Sequence, residues 1–179
     1  MCENSSNCYR PMEIIVSPLA AVQLLVDRHK VSHVVSLLGP DTPHRDFIGI
    51  NASNHLKLTF HDIIEPAEGL TAPASEHVVA LIDFLKARQG EDPMLIHCWA
   101  GISRSTASAF TAMCLYNPNV DERRLAQQLR SLSHVATPNR RIVAFADDIL
   151  GRQGRMVDAI DAIGRGEQAY EGIIFQWKM

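Results

Sequence analysis

The chain has 179 residues, 46% of them hydrophobic, and a formal net charge of −3, which suits one well-buried core and shows no basic footprint for nucleic acid. No apolar run approaches the roughly 18 residues of a membrane span, and the opening "MCENSSNCYRPMEI" lacks the apolar centre of a signal segment. The four cysteines (Cys2, Cys8, Cys98, Cys114) form no C-x-x-C pair, so no disulfide framework is expected. The expectation is a cytoplasmic protein without nucleic-acid or membrane partners, residues 1–12 forming a flexible leader.

In chain order, "EIIVS" (residues 13–17) reads as a strand, and Pro18 suits the first position of a helix running through residue 30. Residues 31–39, "VSHVVSLLG", read as a buried strand, "DTPHRD" as a loop, and residues 55–60, "HLKLTF", alternate as a half-exposed strand does. A polar loop over residues 61–75 precedes a helix whose Val78, Val79, Leu81, Ile82 and Leu85 share one face and which Gly90 closes. "PMLIH" (residues 93–97) is the next buried strand, and residues 105–116, 121–134 and 139–150 are predicted helices. The remainder, "MVDAIDAIGRGEQAYEGIIFQWKM", reads as a helix and an unassigned tail. Strands interleaved with helices predict an α/β class, a single domain over residues 13–179 with a central sheet flanked by helices on both faces. The pattern specifies no oligomeric state.

Ligands of open α/β sheets bind beyond the carboxyl ends of the strands, which puts residues 98–104 at a site. The helix that follows aims unpaired N–H groups and a positive dipole end at that loop. Arg104 adds a forked cation matched to two phosphate oxygens. The same field favours thiolate over thiol, making Cys98 a nucleophile. Cys114, on an apolar helix face, reads instead as core. Glycine and arginine at these offsets from a cysteine arise by composition alone in about 2% of chains with four cysteines, and the serine after the arginine makes coincidence rarer still. His29, His33, His44, His55, His61, His77 and His134 show no metal-ligand spacing, and neither metal nor cofactor is expected. "DERRLAQQLRSL" reads as a solvated helix face.

"HCWAGISRSTA" closely resembles the signature of the cysteine-dependent protein tyrosine phosphatases, in their compact dual-specificity-like branch. "VSHVVSLLG" resembles that branch's early core strand, and "VATPNRRIVAF" its Pro-Asn helix start. The resemblance implies phosphomonoester hydrolysis through a phosphocysteine intermediate. Cys98 would attack phosphorus, Arg104 would hold the equatorial oxygens, and the backbone amides of Trp99, Ala100, Gly101, Ile102, Ser103 and Arg104 would complete a phosphate cradle. Ser105 would stabilise the departing thiolate, and His97 would hold the loop structurally. The leaving oxygen needs an acid. Asp62, 36 residues before Cys98 at the mouth of a strand, is the candidate, with Glu65 in reserve and Asp41 and Asp46 as rivals on the preceding loop. The Trp99 ring reads as packing at the pocket wall.

Chain order excludes low-molecular-weight phosphatases and arsenate reductases, whose nucleophile lies near the N-terminus. A rhodanese-like phosphatase shares the cysteine-to-arginine spacing but fits Gly101 and Ser105 poorly. A phosphate-recognising module with little turnover is the competing class, opposed by the joint presence of nucleophile, arginine, hydroxyl and acid. The loop interior "WAGIS" carries no lysine or histidine, which disfavours a highly charged non-protein phosphoester. The expected substrate is therefore a phosphorylated protein or small phosphoester, with phosphotyrosine accepted in a shallow cleft and phosphoserine or phosphothreonine beside it.

Overall fold

The computed structural model describes residues 12–88 and 92–179. Residues 1–11 of the expected leader, with Cys2 and Cys8, and the Gly90 helix stop lie outside the described residues. Five strands, β1 (Glu13–Pro18), β2 (His33–Leu38), β3 (His55–Thr59), β4 (Met94–Cys98) and β5 (Phe175–Lys178), form one sheet in the order β3-β2-β4-β1-β5. The first four run parallel, and β5 closes the edge antiparallel to β1.

Side chains alternate across a strand, so the apolar runs in β1, β2 and β4 supply both faces at once. Ile15, Val34 and Leu95 pack with Val22, Leu25 and Val26 of α1 (Val22–His29) on one face. Ile14, Val16, Val35, Met94 and Ile96 face the opposite way, into the larger core. That core is built by α2 (Ser75–Ala87), α3 (Arg104–Tyr116), α4 (Glu122–Leu132), α5 (Arg140–Ile149) and α6 (Arg155–Ile163). Helices cover both faces, as expected. β4 is central and buried throughout, and α3 behind it is buried from Arg104 to Cys114. Its run of Ser, Ala and Thr keeps that helix thin enough for β4, β1 and three neighbouring helices to approach it.

Two expectations are corrected, and an unassigned segment is placed. Pro18 does not start a helix: it ends β1 in register with Cys98, and a 3-10 turn over Leu19–Ala21 precedes α1. The Leu19 N–H donates to the Trp99 carbonyl, so tertiary pairing with the loop after β4 overrides the local preference for a proline at a helix start. The α4 segment is not simply a solvated face. Leu125, Ala126 and Leu129 are buried, and Glu122 is 4% exposed. Its carboxylate accepts from Arg152 Nη1 at 3.0 Å and Arg155 Nε at 3.1 Å, tying α4 to the α5–α6 corner. The unassigned tail, finally, contains β5, whose Phe175 and Trp177 are buried while Lys178 is exposed.

Candidate active site

Cys98 ends β4, 2% exposed, and α3 begins six residues later at Arg104. The intervening loop is held from outside by its carbonyls. Trp99 O accepts from Leu19 N–H, Ala100 O from Gly172 N–H at 2.7 Å, Ile102 O from Thr137 N–H, and Ser103 O from Asn139 and Ala107 N–H. With the carbonyls turned outward, the amides of Trp99, Ala100, Ile102, Ser103 and Arg104 have no protein acceptor among the described residues. Gly101 N–H donates to Cys98 Sγ at 3.2 Å. The turn requires glycine there: φ is 75°, and a Cβ would stand 2.7 Å from the Pro18 nitrogen. Successive amides around a short loop at a helix N-terminus make an anion-binding concavity.

Arg104 is 7% exposed and its Nη1 donates to Phe60 O at 3.0 Å, which aims the guanidinium. Its Nε is buried without a hydrogen-bond partner and lies 3.8 Å from Asp62 Oδ2. Ser105 Oγ is 3.3 Å from Cys98 Sγ. Asp62, three residues past the end of β3, faces this cup. Its Oδ1 accepts from Ser103 Oγ at 2.8 Å and Asn139 Nδ2 at 2.7 Å. Asn139 is itself the N-cap of α5, its Oδ1 accepting from Arg141 and Ile142 N–H. Cys98, Arg104, Ser105 and Asp62 thus meet in one place. Of the rival acids, Asp46 is an exposed partner of Lys57 at 2.7 Å, and neither Asp41 nor Glu65 lines the cavity beside the cup. Trp99 is 60% exposed rather than buried in packing, and its carbonyl accepts from Leu19 N–H.

Beneath the loop, His97 is fully buried. Its Nε2 lies 2.6 Å from Ser36 Oγ, which is 2.7 Å from His55 Nε2. The His97 Nδ1 is 3.3 Å from the Cys98 carbonyl and can meet it only as a donor. That leaves Nε2 to accept from Ser36, whose oxygen accepts in turn from His55. Burial holds both imidazoles down to about 4, so both are neutral at pH 7. Cys114 lies deep in α3, and burial pushes its thiol up to about 12.

Sequence reasoning missed the Ser103–Asp62 and Asn139–Asp62 contacts, although the Pro-Asn helix start seen by resemblance placed Asn139 at the head of this helix. It also missed the chain between α6 and β5. That segment, here called the strap, crosses the outside of the loop, and a Cβ on Gly172 would stand 2.7 Å from Gly101 C.

No family model matches the chain, and no curated protein does. Solved structures do match, and they show the fold: it is that of the compact dual-specificity form of the protein tyrosine phosphatases. The chain is similar to DUSP15, with a TM-score of 0.60 and 18% identity over 87% of this chain and 94% of that one. It is similar to the PTP-2 phosphatase of Cydia pomonella, with a TM-score of 0.60 and 21% identity over 75% and 84% of the two chains. It is also similar to PTPMT1, crystallised in complex with PI(5)P, with a TM-score of 0.56 and 15% identity over 78% and 93%.

Proposed function

We propose that the protein is a cysteine-dependent phosphomonoester hydrolase acting on phosphorylated protein, with phosphotyrosine as its principal substrate and phosphoserine or phosphothreonine accepted beside it. One observation carries the reading: the buried, unpartnered Nε of Arg104 stands in the same cup as Cys98 Sγ, with five loop amides lacking acceptors around them. A buried guanidinium N–H without a partner costs free energy unless an anion takes it. A phosphate dianion matches that donor set.

In the first step the Cys98 thiolate attacks phosphorus, the S–P bond forming as the P–O bond breaks. Arg104 and the loop amides hold the equatorial oxygens, and Asp62 gives a proton to the leaving oxygen. Asp62, now a carboxylate, takes a proton from water that attacks the phosphocysteine. Phosphate leaves, and the Ser105 hydroxyl donates to the returning thiolate. Ser103 and Asn139 support the acid by fixing Asp62 Oδ1, which leaves Oδ2 for the substrate. The setting that fits a free thiol nucleophile is the reducing cytoplasm.

Hydrolysis of a nitrophenyl-type aryl phosphate with vanadate as inhibitor tests the reading. Vanadate-sensitive release is expected from the wild type, and Cys98→Ser should abolish turnover while still binding phosphate, because a hydroxyl stays protonated where the thiol ionises. A serine variant with a sizeable fraction of wild-type kcat would rule out the covalent mechanism. Absence of vanadate-sensitive release from the wild type would favour a phosphate-recognising module.

A further inference from the structure

Beside the cup lies a cavity of about 280 Å³ whose walls include Asp62, Ser103 and Asn139 and, from the strap, Arg165, Glu167 and Gln168. A second hollow of about 490 Å³ shares Ile64, Thr137, Pro138 and Arg165 with the first, so one groove runs outward from the acid. Arg165 is where the two meet.

The backbone at Arg165 is set firmly. The Arg130 guanidinium donates to the carbonyls of Ala136 (2.9 Å), Ile163 (3.2 Å), Gly164 (2.8 Å) and Arg165 (3.4 Å). Gly166 N–H donates to Thr137 Oγ1 at 3.1 Å, and Glu167 N–H to His134 O at 3.0 Å. Gly166 lies so close to the chain before α5 that a Cβ would stand 2.5 Å from Val135 C. The side chain is treated differently. Arg140, the other arginine of the groove, is bound by Asp161 through three hydrogen bonds. Arg165 is exposed and has no carboxylate partner among the described residues.

We propose that this groove receives the polypeptide flanking the phosphorylated residue of a protein substrate, and that Arg165 selects an acidic side chain in that flank. The inference rests on the phosphatase reading and specifies its substrate. A rigid backbone carrying one unpaired cation at the junction of two hollows is arranged to read one charge at a set distance from the phosphate. The walls also offer Ile64, Pro138 and Ile160, apolar surface that suits peptide side chains. A polyphosphorylated small molecule would need several free cations, and among the described residues the groove has one.

The test uses the full chain carrying Cys98→Ser and fluorescent phosphotyrosyl peptides of one length, with Glu, Ala or Lys placed in turn at each of the four positions on either side of the phosphotyrosine. At one or two neighbouring positions Glu should bind roughly three- to fivefold more tightly than Lys, the preference shrinking as salt rises. Adding Arg165→Ala should bring that ratio close to one, and Arg165→Glu should invert it, with circular dichroism unchanged. A Glu-to-Lys ratio that is flat in the parent, or that survives Arg165→Glu, overturns the proposal. So does an inositol polyphosphate that displaces the peptide and loses that ability with Arg165→Ala, which would give the groove a different occupant. Aryl phosphate turnover by the wild type is measured separately. If turnover is absent while the charge ratio holds, the phosphatase reading fails and the groove assignment stands.

Discussion

In the proposed mechanism Asp62 has to be both held and reactive. Its Oδ1 is occupied by Ser103 and Asn139, and its Oδ2 faces the buried Nε of Arg104. Two donors on one oxygen fix the carboxyl plane, so the free oxygen is presented in a set direction, as positioned acid catalysis requires. Asp62→Asn keeps that shape and removes the proton. Hydrolysis of phosphotyrosyl peptides, whose leaving group is a poor one, should fall by about 10²- to 10⁴-fold. Nitrophenyl-type substrates, which depart without protonation, should lose far less. Steady-state kcat on the two substrate types separates this from misfolding, since equal losses on both would remove Asp62 from the chemistry. Asp62 was legible as a candidate because it follows a strand upstream of the cysteine. The sequence already preferred it to Asp46, and in the fold Asp46 is turned to Lys57 at the surface.

Among the elements, β2, β3 and β4 are joined beneath the loop after β4 by Ser36, His55 and His97, which occupy adjacent parallel strands. The tautomer chain there works only while His97 is neutral, because a protonated Nε2 cannot accept from Ser36. Both titrate at about 4 in the folded protein against 6.5 for a free histidine, chiefly through burial. The unfolded chain therefore binds more protons between those values, and stability contributed by the pair is complete above about pH 6.5 and lost as pH falls toward 4. His97, fully buried, accounts for a slope of at most about 1.4 kcal/mol per pH unit in that window. Thermal midpoints across pH 4.5–7 should fall toward acid more steeply for the wild type than for His97→Gln, which has no proton to gain. Parallel curves for the two proteins would show that the network does not titrate as a unit. The sequence marked His97 as a loop-holding residue by resemblance. It held no signal for Ser36, whose role depends on strand register.

For the whole molecule, the C-terminal segment joins the sheet edge to the site. β5 seals β1 with Phe175 and Trp177 buried, and the strap before it donates Gly172 N–H to Ala100 O and carries Arg165 into the groove. Burying two large aromatic residues contributes about 1.5–3 kcal/mol each, a large share of a domain stability of about 5–15 kcal/mol. Removing residues 164–179 should lower the thermal midpoint by on the order of 10 °C. At temperatures where the truncated chain stays folded, kcat on aryl phosphate should still fall, because the Ala100 carbonyl has lost its donor and the loop its outer support. A truncated protein with wild-type kcat would show that the strap does not shape the loop.

What the sequence by itself determined is local in origin. The strand, the glycine-bearing turn and the helix N-terminus lie within one continuous stretch, so Cys98, Gly101, Arg104 and Ser105 are brought together by strand and helix geometry with little help from elsewhere. The alternation of apolar runs and helical faces likewise specified the class and both covered faces of the sheet. The tertiary structure alone decided which groups tie the loop from outside, since Leu19, Thr137, Asn139 and Gly172 meet its carbonyls across long stretches of chain. It alone paired Asn139 with Asp62, 77 residues away. It also turned four residues of tail into a strand, because β5 is too short for its alternation to be distinguished in sequence and is stabilised by pairing with β1 and burying Phe175 and Trp177. The buried charge on Glu122 has the same origin: an acidic residue at a helix start reads as solvated until Arg152 and Arg155 arrive from another part of the chain to neutralise it.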